Sequence, residues 1–234
     1  MLPFVVYQLK SFGLSLKFIP PATLYFAWVF ISYAYKNVPI LSSYGGTAMV
    51  LYPIMVWMTM ALFHLEEESE KHILFSHLGN KRRYLLGKWL TLIITMTPLL
   101  LFSIFYPIVT SSFKGTMSFE LFFIGVYVHV VFAAFGMVVG TLFSTTNLAS
   151  KKYSWLSAAL VVVVSFSAKS MIEAAAFLKW MLWIFPPVFD VLSLVGNGEG
   201  IFLNTSSIMN DVWVIFYLMI GFTLLVPLFR KKES

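Results

Sequence analysis

Residues 47–109 read TAMVLYPIMVWMTMALFHL, then EEESEKHILFSHLGNKRRYLLGK, then WLTLIITMTPLLLFSIFYPIV. The first and last runs, 47–65 and 89–109, hold no Asp, Glu, Lys or Arg, and the stretch between them is abruptly polar. A bilayer core about 30 Å thick takes on the order of 20 apolar residues as one helical crossing. Both apolar runs have that length, so the local reading is span, polar link, span. The same rhythm continues outward. Further apolar runs occupy approximately 18–36, 119–143, 154–176 and 211–229. They are separated by turn-rich or polar links such as Asn37 to Gly46, SSFKGTMSF and STTNLASKKYS.

The composition agrees. The 234 residues are 59% hydrophobic and only 11% charged, with a mean hydropathy of +0.86. A soluble domain carries about 25% charged residues, and half that leaves too little polar surface to cover a water-soluble globule. Six spans with short connections use the whole chain. The expected fold is an all-α polytopic membrane protein, one transmembrane domain over 1–234, with no separate soluble domain. Cysteine is absent, which excludes disulfides, thiolate metal sites and a cysteine nucleophile. The start, MLPFVVYQLK, lacks the order of basic, apolar and small-residue regions of a signal peptide, so none is expected to be removed. Within 1–17, Val5, Leu9, Phe12 and Leu16 recur at helical spacing beside Lys10 and Lys17. That pattern suits an amphipathic helix lying on the membrane surface.

Six spans put both termini on one side. If that side is the cytoplasm, the inner segments hold twelve of the sixteen basic residues: Lys10, Lys17, Lys71, Lys81, Arg82, Arg83, Lys88, Lys151, Lys152, Arg230, Lys231 and Lys232. Lys36, Lys114, Lys169 and Lys179 form the outer set. This is a strong positive-inside bias. The net charge of +6 therefore reads as topology and contact with anionic lipid, not as nucleic-acid binding.

The polar link 66–88 carries four of the ten acidic residues, Glu66, Glu67, Glu68 and Glu70, and ends in the basic cluster Lys81–Arg83. Acid first and base last suits a helix dipole. Ser69 is the expected cap and Gly79-Asn80 the expected stop. Ile73, Leu74, His77 and Leu78 would form an apolar stripe on a helix of about ten residues. Spacing alone fits a docking element for a soluble partner and a solvated connector equally well.

This run, with its acidic opening, its centre ILFSHLGNKRRYLLGKWL and Gly87-Lys88, resembles the cytoplasmic loop of ABC-2-type transporter permeases. There an acidic pair leads into a coupling helix, and an "llgK" run enters the third span. The plan is similar too: a surface helix, six spans, and a long outer segment with a proline break between spans five and six. The chain departs from the commoner pattern in carrying Ser69-Glu70-Lys71-His72 where many members have Gly-Thr. The resemblance implies a permease subunit of an ABC exporter in a bacterial cell membrane. Two permease chains, identical or different, would form the pathway, and a separate ABC ATPase subunit would bind ATP and Mg. It also implies docking of that ATPase by Glu66, Glu67, Glu68, Glu70, Lys71, Ile73, Leu74 and Leu78. The chain itself lacks the phosphate-cradling GxxxxGK[ST] pattern, since Gly87-Lys88 is followed by Trp89, so no ATP hydrolysis and no cofactor of its own are expected.

Two other readings compete with this one. A CAAX-type intramembrane protease would need its glutamate pair in mid-membrane and histidines on neighbouring spans. Glu66-Glu67 sits at a span end, and only His129 lies well inside a span. The spacing of His64, His72 and His77 gives no metal-binding i, i+4 pair either. A non-transporting accessory or immunity membrane protein would need no docking helix. Within span five, Lys169 and Glu173 are four apart and share a helix face, so they can form an intramembrane polar pair. At about 1.5 Å per residue Lys169 lies some 21 Å from Trp155, toward the outer surface. Residues 177–210 are too apolar for a free loop, and Pro186-Pro187 forbids one continuous helix. Short re-entrant helices are expected there, before a turn-rich stretch at Asn197, Gly198 and Gly200. Gly136 and Gly140 form a small-xxx-small pair that lets helices approach closely.

Overall fold

Two long apolar helices, α3 (Ile40–Phe63) and α6 (Phe119–Thr145), form the centre, and their mutual contact is the most extensive in the molecule. Glycine sets how near they come. A Cβ on Gly136 would lie 2.5 Å from Met55 Cβ and 2.7 Å from the Tyr52 carbonyl oxygen, and one on Gly140 2.6 Å from Thr59 Cβ. Any side chain at either position would force the helices apart. The small-xxx-small pair is thus used inside the chain, between α6 and α3. Higher along the same seam, His129 is fully buried, with Nε2 3.0 Å from Thr47 Oγ1 and Nδ1 2.7 Å from the Gly125 carbonyl.

The computed structural model describes residues 1–150, 152–196 and 205–232, with side chains from Met209 onward in the last segment. Lys151, Asn197, Gly198 and Gly200 lie outside the described residues. Around the central pair stand α5 (Lys81–Val109), α7 (Ser154–Ala174) and α10 (Thr205–Lys232). Among the described residues five helices, α3, α5, α6, α7 and α10, are long and apolar enough to cross a membrane. There are no β-strands among them, only an isolated bridge between Val38 and Phe113. The molecule is a helical membrane protein. Its outer helices turn large apolar side chains away from the core, including Leu156, Leu160 and Val163 on α7 and Val212, Phe216 and Met219 on α10. In water that would be a liability, whereas in lipid it is the solvated surface.

The first two elements, α1 (Leu2–Leu14) and α2 (Ile19–Ser32), meet at a 78° bend. The packed face of α1 is Phe4, Val5, Gln8 and Phe12, so the expected stripe is shifted: Leu16 is exposed past the helix end, and a polar Gln8 is buried. Phe4 is seated against Gly87 of α5, where a Cβ would lie 2.4 Å from its ring. A second departure concerns α3. It begins at Ile40, inside the stretch 37–46 expected as a turn, because Gly45-Gly46 continues the helix and Gly45 lets Val195 come close (2.8 Å to a built Cβ). Pro53, Pro98, Pro107 and Pro227 all lie within helices, which neighbouring helices make tolerable in membrane segments.

Bonds at the helix ends define two poles. At one, the Lys17 ammonium donates to the His64 carbonyl (3.2 Å), and the Lys232 ammonium donates to the Ser144 carbonyl (3.3 Å). At the other, Val38 and Lys114 pair through their backbones (3.0 and 2.9 Å to Ser112 and Val38) and the Ser112 hydroxyl donates to the Tyr33 carbonyl. The second pole also carries a 3-10 turn (Ala176–Leu178), α8 (Lys179–Leu182) and α9 (Val188–Gly196). Pro186 and Pro187 separate α8 from α9, and Val188, Val191 and Val195 of α9 are buried.

Candidate functional site

The first pole gathers the acidic link. Glu66 leaves the end of α3, and its carboxylate turns inward. It accepts both 2.6 Å hydrogen bonds from the Lys88 ammonium, one from the Tyr84 hydroxyl (3.0 Å) and one from Gln8 Nε2 (2.5 Å). Lys88 donates also to the Leu62 carbonyl at the end of α3 (2.9 Å) and lies over the rings of Tyr84 and Phe63. The Lys88 side chain is 0% exposed and that of Glu66 is 2% exposed. Taking two charges out of water is repaid only by close geometry with further hydrogen bonds. Both conditions hold here. One carboxylate thereby ties together α1 through Gln8, the end of α3, and the start of α5 through Tyr84 and Lys88.

The next helix, α4 (Glu68–Leu78), begins directly after this anchor. Glu67 is its N-cap, with extended backbone, and Ser69, the expected cap, lies inside the first turn. The physical reason is Glu66: held by Lys88, it fixes where the chain leaves α3, and helical geometry starts two residues later. Glu68 and Glu70 occupy the first turn and His77 the last, as the helix dipole favours. Gly79 stops the helix in the left-handed conformation at φ 66°, as expected.

The buried anchor of α4 is Phe75, which makes edge contacts with Tyr84 (5.0 Å between centroids) and Phe229 of α10 (6.0 Å). Leu74 and Leu78 are half-buried against the same cluster. Ile73 and His77, expected on one stripe with them, point outward instead, Ile73 being 59% exposed. The expected docking residues therefore divide. Glu67, Glu68 and Ile73 are exposed, and Glu66 is internal. Glu70 is half-buried and accepts the Tyr7 hydroxyl, which pushes that phenol up to about 12. Lys71 pairs with Glu68 at 3.9 Å and lies over the rings of Phe75 and Phe229. Arg82 and Arg83, just beyond, are exposed. The outward surface is thus two glutamates and one apolar residue on α4, a helix fastened to three others, beside two arginines at the start of α5.

Sequence reasoning missed Lys88, Tyr84, Gln8 and Phe75. The available signals were a lysine at the mouth of an apolar run and a glutamine on the apolar face of α1.

At the second pole, Lys169, Glu173, Pro186 and Pro187 line one cleft of about 890 Å³, together with Lys179 and Asp190. Lys169 and Glu173 share a helix face, yet among the described residues no ion pair or hydrogen bond joins them. Trp183 and Trp213 stack at the cleft with centroids 4.4 Å apart and planes 4° from parallel. Burial pushes the Asp190 carboxyl up from its ordinary value. Among the described residues no three His, Asp or Glu come together as a metal site. No family model, no curated protein and no solved structure matches the chain.

Proposed function

We propose that the chain is the membrane-spanning permease subunit of an ABC exporter. It crosses a bacterial cell membrane six times with both termini in the cytoplasm. A second permease chain completes the pathway, and a separate ABC ATPase, which binds ATP and Mg, drives it. The substrate class is hydrophobic or amphipathic: a peptide, an antibiotic or a lipid-like molecule. The segment with Pro186-Pro187 re-enters the outer leaflet and caps the pathway. This chain hydrolyses no ATP itself.

One observation supports this reading above the others: α4 is a short helix whose outward face carries Glu67, Glu68 and Ile73, while its root, Glu66, is locked to Lys88. A push on α4 would pass directly into α3 and α5 through that ion pair and into α10 through Phe75. A solvated connector has no need of such fastening. Binding energy at interfaces concentrates in a few contacts, an apolar anchor among charges being a common form.

The test uses the exposed residues, since Leu74 and Leu78 contribute to packing. The full chain is purified in mild detergent from its native membranes, and co-purifying subunits are labelled with a photoreactive ATP analogue. Wild type should bring down an ATP-binding subunit. The double variant Glu68→Lys/Ile73→Asp should insert and melt as wild type does but lose about tenfold or more of that subunit. Undiminished recovery of the labelled subunit with the double variant would remove α4 from the interface. No labelled subunit with wild type would leave a non-transporting membrane protein.

A further inference from the structure

Ionisable residues inside a membrane helix are rare, and they face a partner or a polar cavity when they occur. Lys169 and Glu173 lie in the last two turns of the membrane helix α7, both exposed, and no mutual ion pair joins them. What they share is the cleft of about 890 Å³ at the second pole. The same cleft is lined by Lys179 and Asp190, so two ammonium groups and two carboxyl groups face one space. The stacked indoles of Trp183 and Trp213 also line it, and beside the charges are apolar side chains such as Leu182 and Phe185. Each half of this lining selects something. Carboxylates beside indole faces favour a cation, lysines favour an anionic oxygen, and the apolar part favours a hydrocarbon tail. A purely anionic amphiphile would leave the carboxylates facing like charge, and a purely cationic one would do so at the lysines.

We infer that this cleft is a binding site for a zwitterionic amphiphile, with Glu173 and Asp190 receiving its ammonium, Lys169 and Lys179 its anionic group, and the apolar wall its tail. The inference rests on the export reading only for the name substrate; the site itself stands on the cleft. An aminophospholipid headgroup has this chemistry. The site is thus a place where a lipid-like cargo is held near the second pole, between α7, α9 and the start of α10.

The experiment measures saturable binding of lysophosphatidylethanolamine, which carries both charges, and of lysophosphatidylglycerol, which carries only the anion, to the purified full chain. Wild type should prefer the first by about tenfold, the usual effect of one additional charge-assisted contact. Glu173→Gln should abolish most of that preference, weakening the zwitterionic probe and strengthening the anionic one by removing like charge. Lys169→Gln should weaken both probes. Leu160→Ala, on the lipid-facing side of α7, should change neither. Equal binding of the two probes to wild type, or no saturable binding at all, would overturn the inference without any variant having to fold. A preference that survives Glu173→Gln in a protein melting as wild type does would also overturn it. Binding of the zwitterion with no co-purifying ATPase would instead remove the export reading and leave the site standing.

Discussion

Lys88 lies well inside α5, and Leu62, Tyr84 and Glu66 between them surround its ammonium. A charge so enclosed is held by its partners or not at all. Removing one member of a buried pair leaves the other charge uncompensated and costs about 3–5 kcal/mol, whereas replacing both by apolar residues is often neutral. Lys88→Met should therefore lower the unfolding midpoint of the detergent-solubilised protein strongly. The double variant Glu66→Leu/Lys88→Met should recover much of the loss, although Tyr84 and Gln8 then lack their acceptor. A double variant as unstable as Lys88→Met alone would mean that the pair is replaceable neither in charge nor in shape. Neither residue's role was legible from local sequence. They are 22 apart, and only the antiparallel return of α5 along α3 brings them together. Gln8 joins them from still further away, so a carboxylate that looks like a docking group in the sequence is spent on holding three segments in place.

Between elements, the α3–α6 seam depends on atoms that are absent. Gly140→Ala would place a methyl 2.6 Å from Thr59 Cβ and 2.9 Å from the Val56 carbonyl, and Gly136→Ala one 2.5 Å from Met55 Cβ. Neither neighbour is the far end of a flexible chain, so the helices must shift, and overpacking of this kind costs about 1–3 kcal/mol. Gly46, in the same helix α3, has nothing within 4 Å of a built Cβ. Gly46→Ala should be neutral or stabilising by up to about 1 kcal/mol through helix propensity. Comparing unfolding midpoints of the three variants separates close approach from a general dislike of change at glycine. Much of the element layout was legible beforehand: the apolar runs mark the long helices, and Gly79 marks the end of α4. Which way each helix faces was not. Phe75, not Leu74 or Leu78, is the buried anchor of α4 because Phe229 waits on α10, a partner far along the chain that spacing cannot reveal. Gly45-Gly46 reads as a turn in an aqueous context, yet both continue α3, and Gly45 lets α9 pack close.

At the scale of the whole molecule the number of crossings turns on α2. Five long helices are joined by the bent pair α1–α2, and α2, at 14 residues, is only about 21 Å long. By length alone it falls short of the hydrocarbon core. We propose that it nevertheless runs the full way, because its two ends are held at opposite poles. Lys17, just before α2, is bonded to the His64 carbonyl at the first pole, and Tyr33, its C-cap, accepts from Ser112 at the second. Phe18 and Tyr33 extend the apolar length, and tilt or local thinning of the bilayer absorbs a modest mismatch. The bend at the α1–α2 junction then leaves α1 packed at the first pole, where Gln8 reaches Glu66. A six-crossing chain puts residue 10 and residue 67 on one side and residues 35 and 114 on the other, whereas a five-crossing chain puts residue 10 with 114. The absence of native cysteine makes this easy to decide, because Lys10, Tyr35, Glu67 and Lys114 are all exposed. Single cysteines at these four positions should divide two and two in whole cells. Tyr35→Cys and Lys114→Cys should react with an impermeant maleimide from outside, and Lys10→Cys and Glu67→Cys only after permeabilisation. Labelling of Lys10→Cys from outside together with Lys114→Cys would reduce the crossings to five. It would also place α1 on the opposite side of the membrane from Glu66 and so rule out the Gln8–Glu66 hydrogen bond in the membrane.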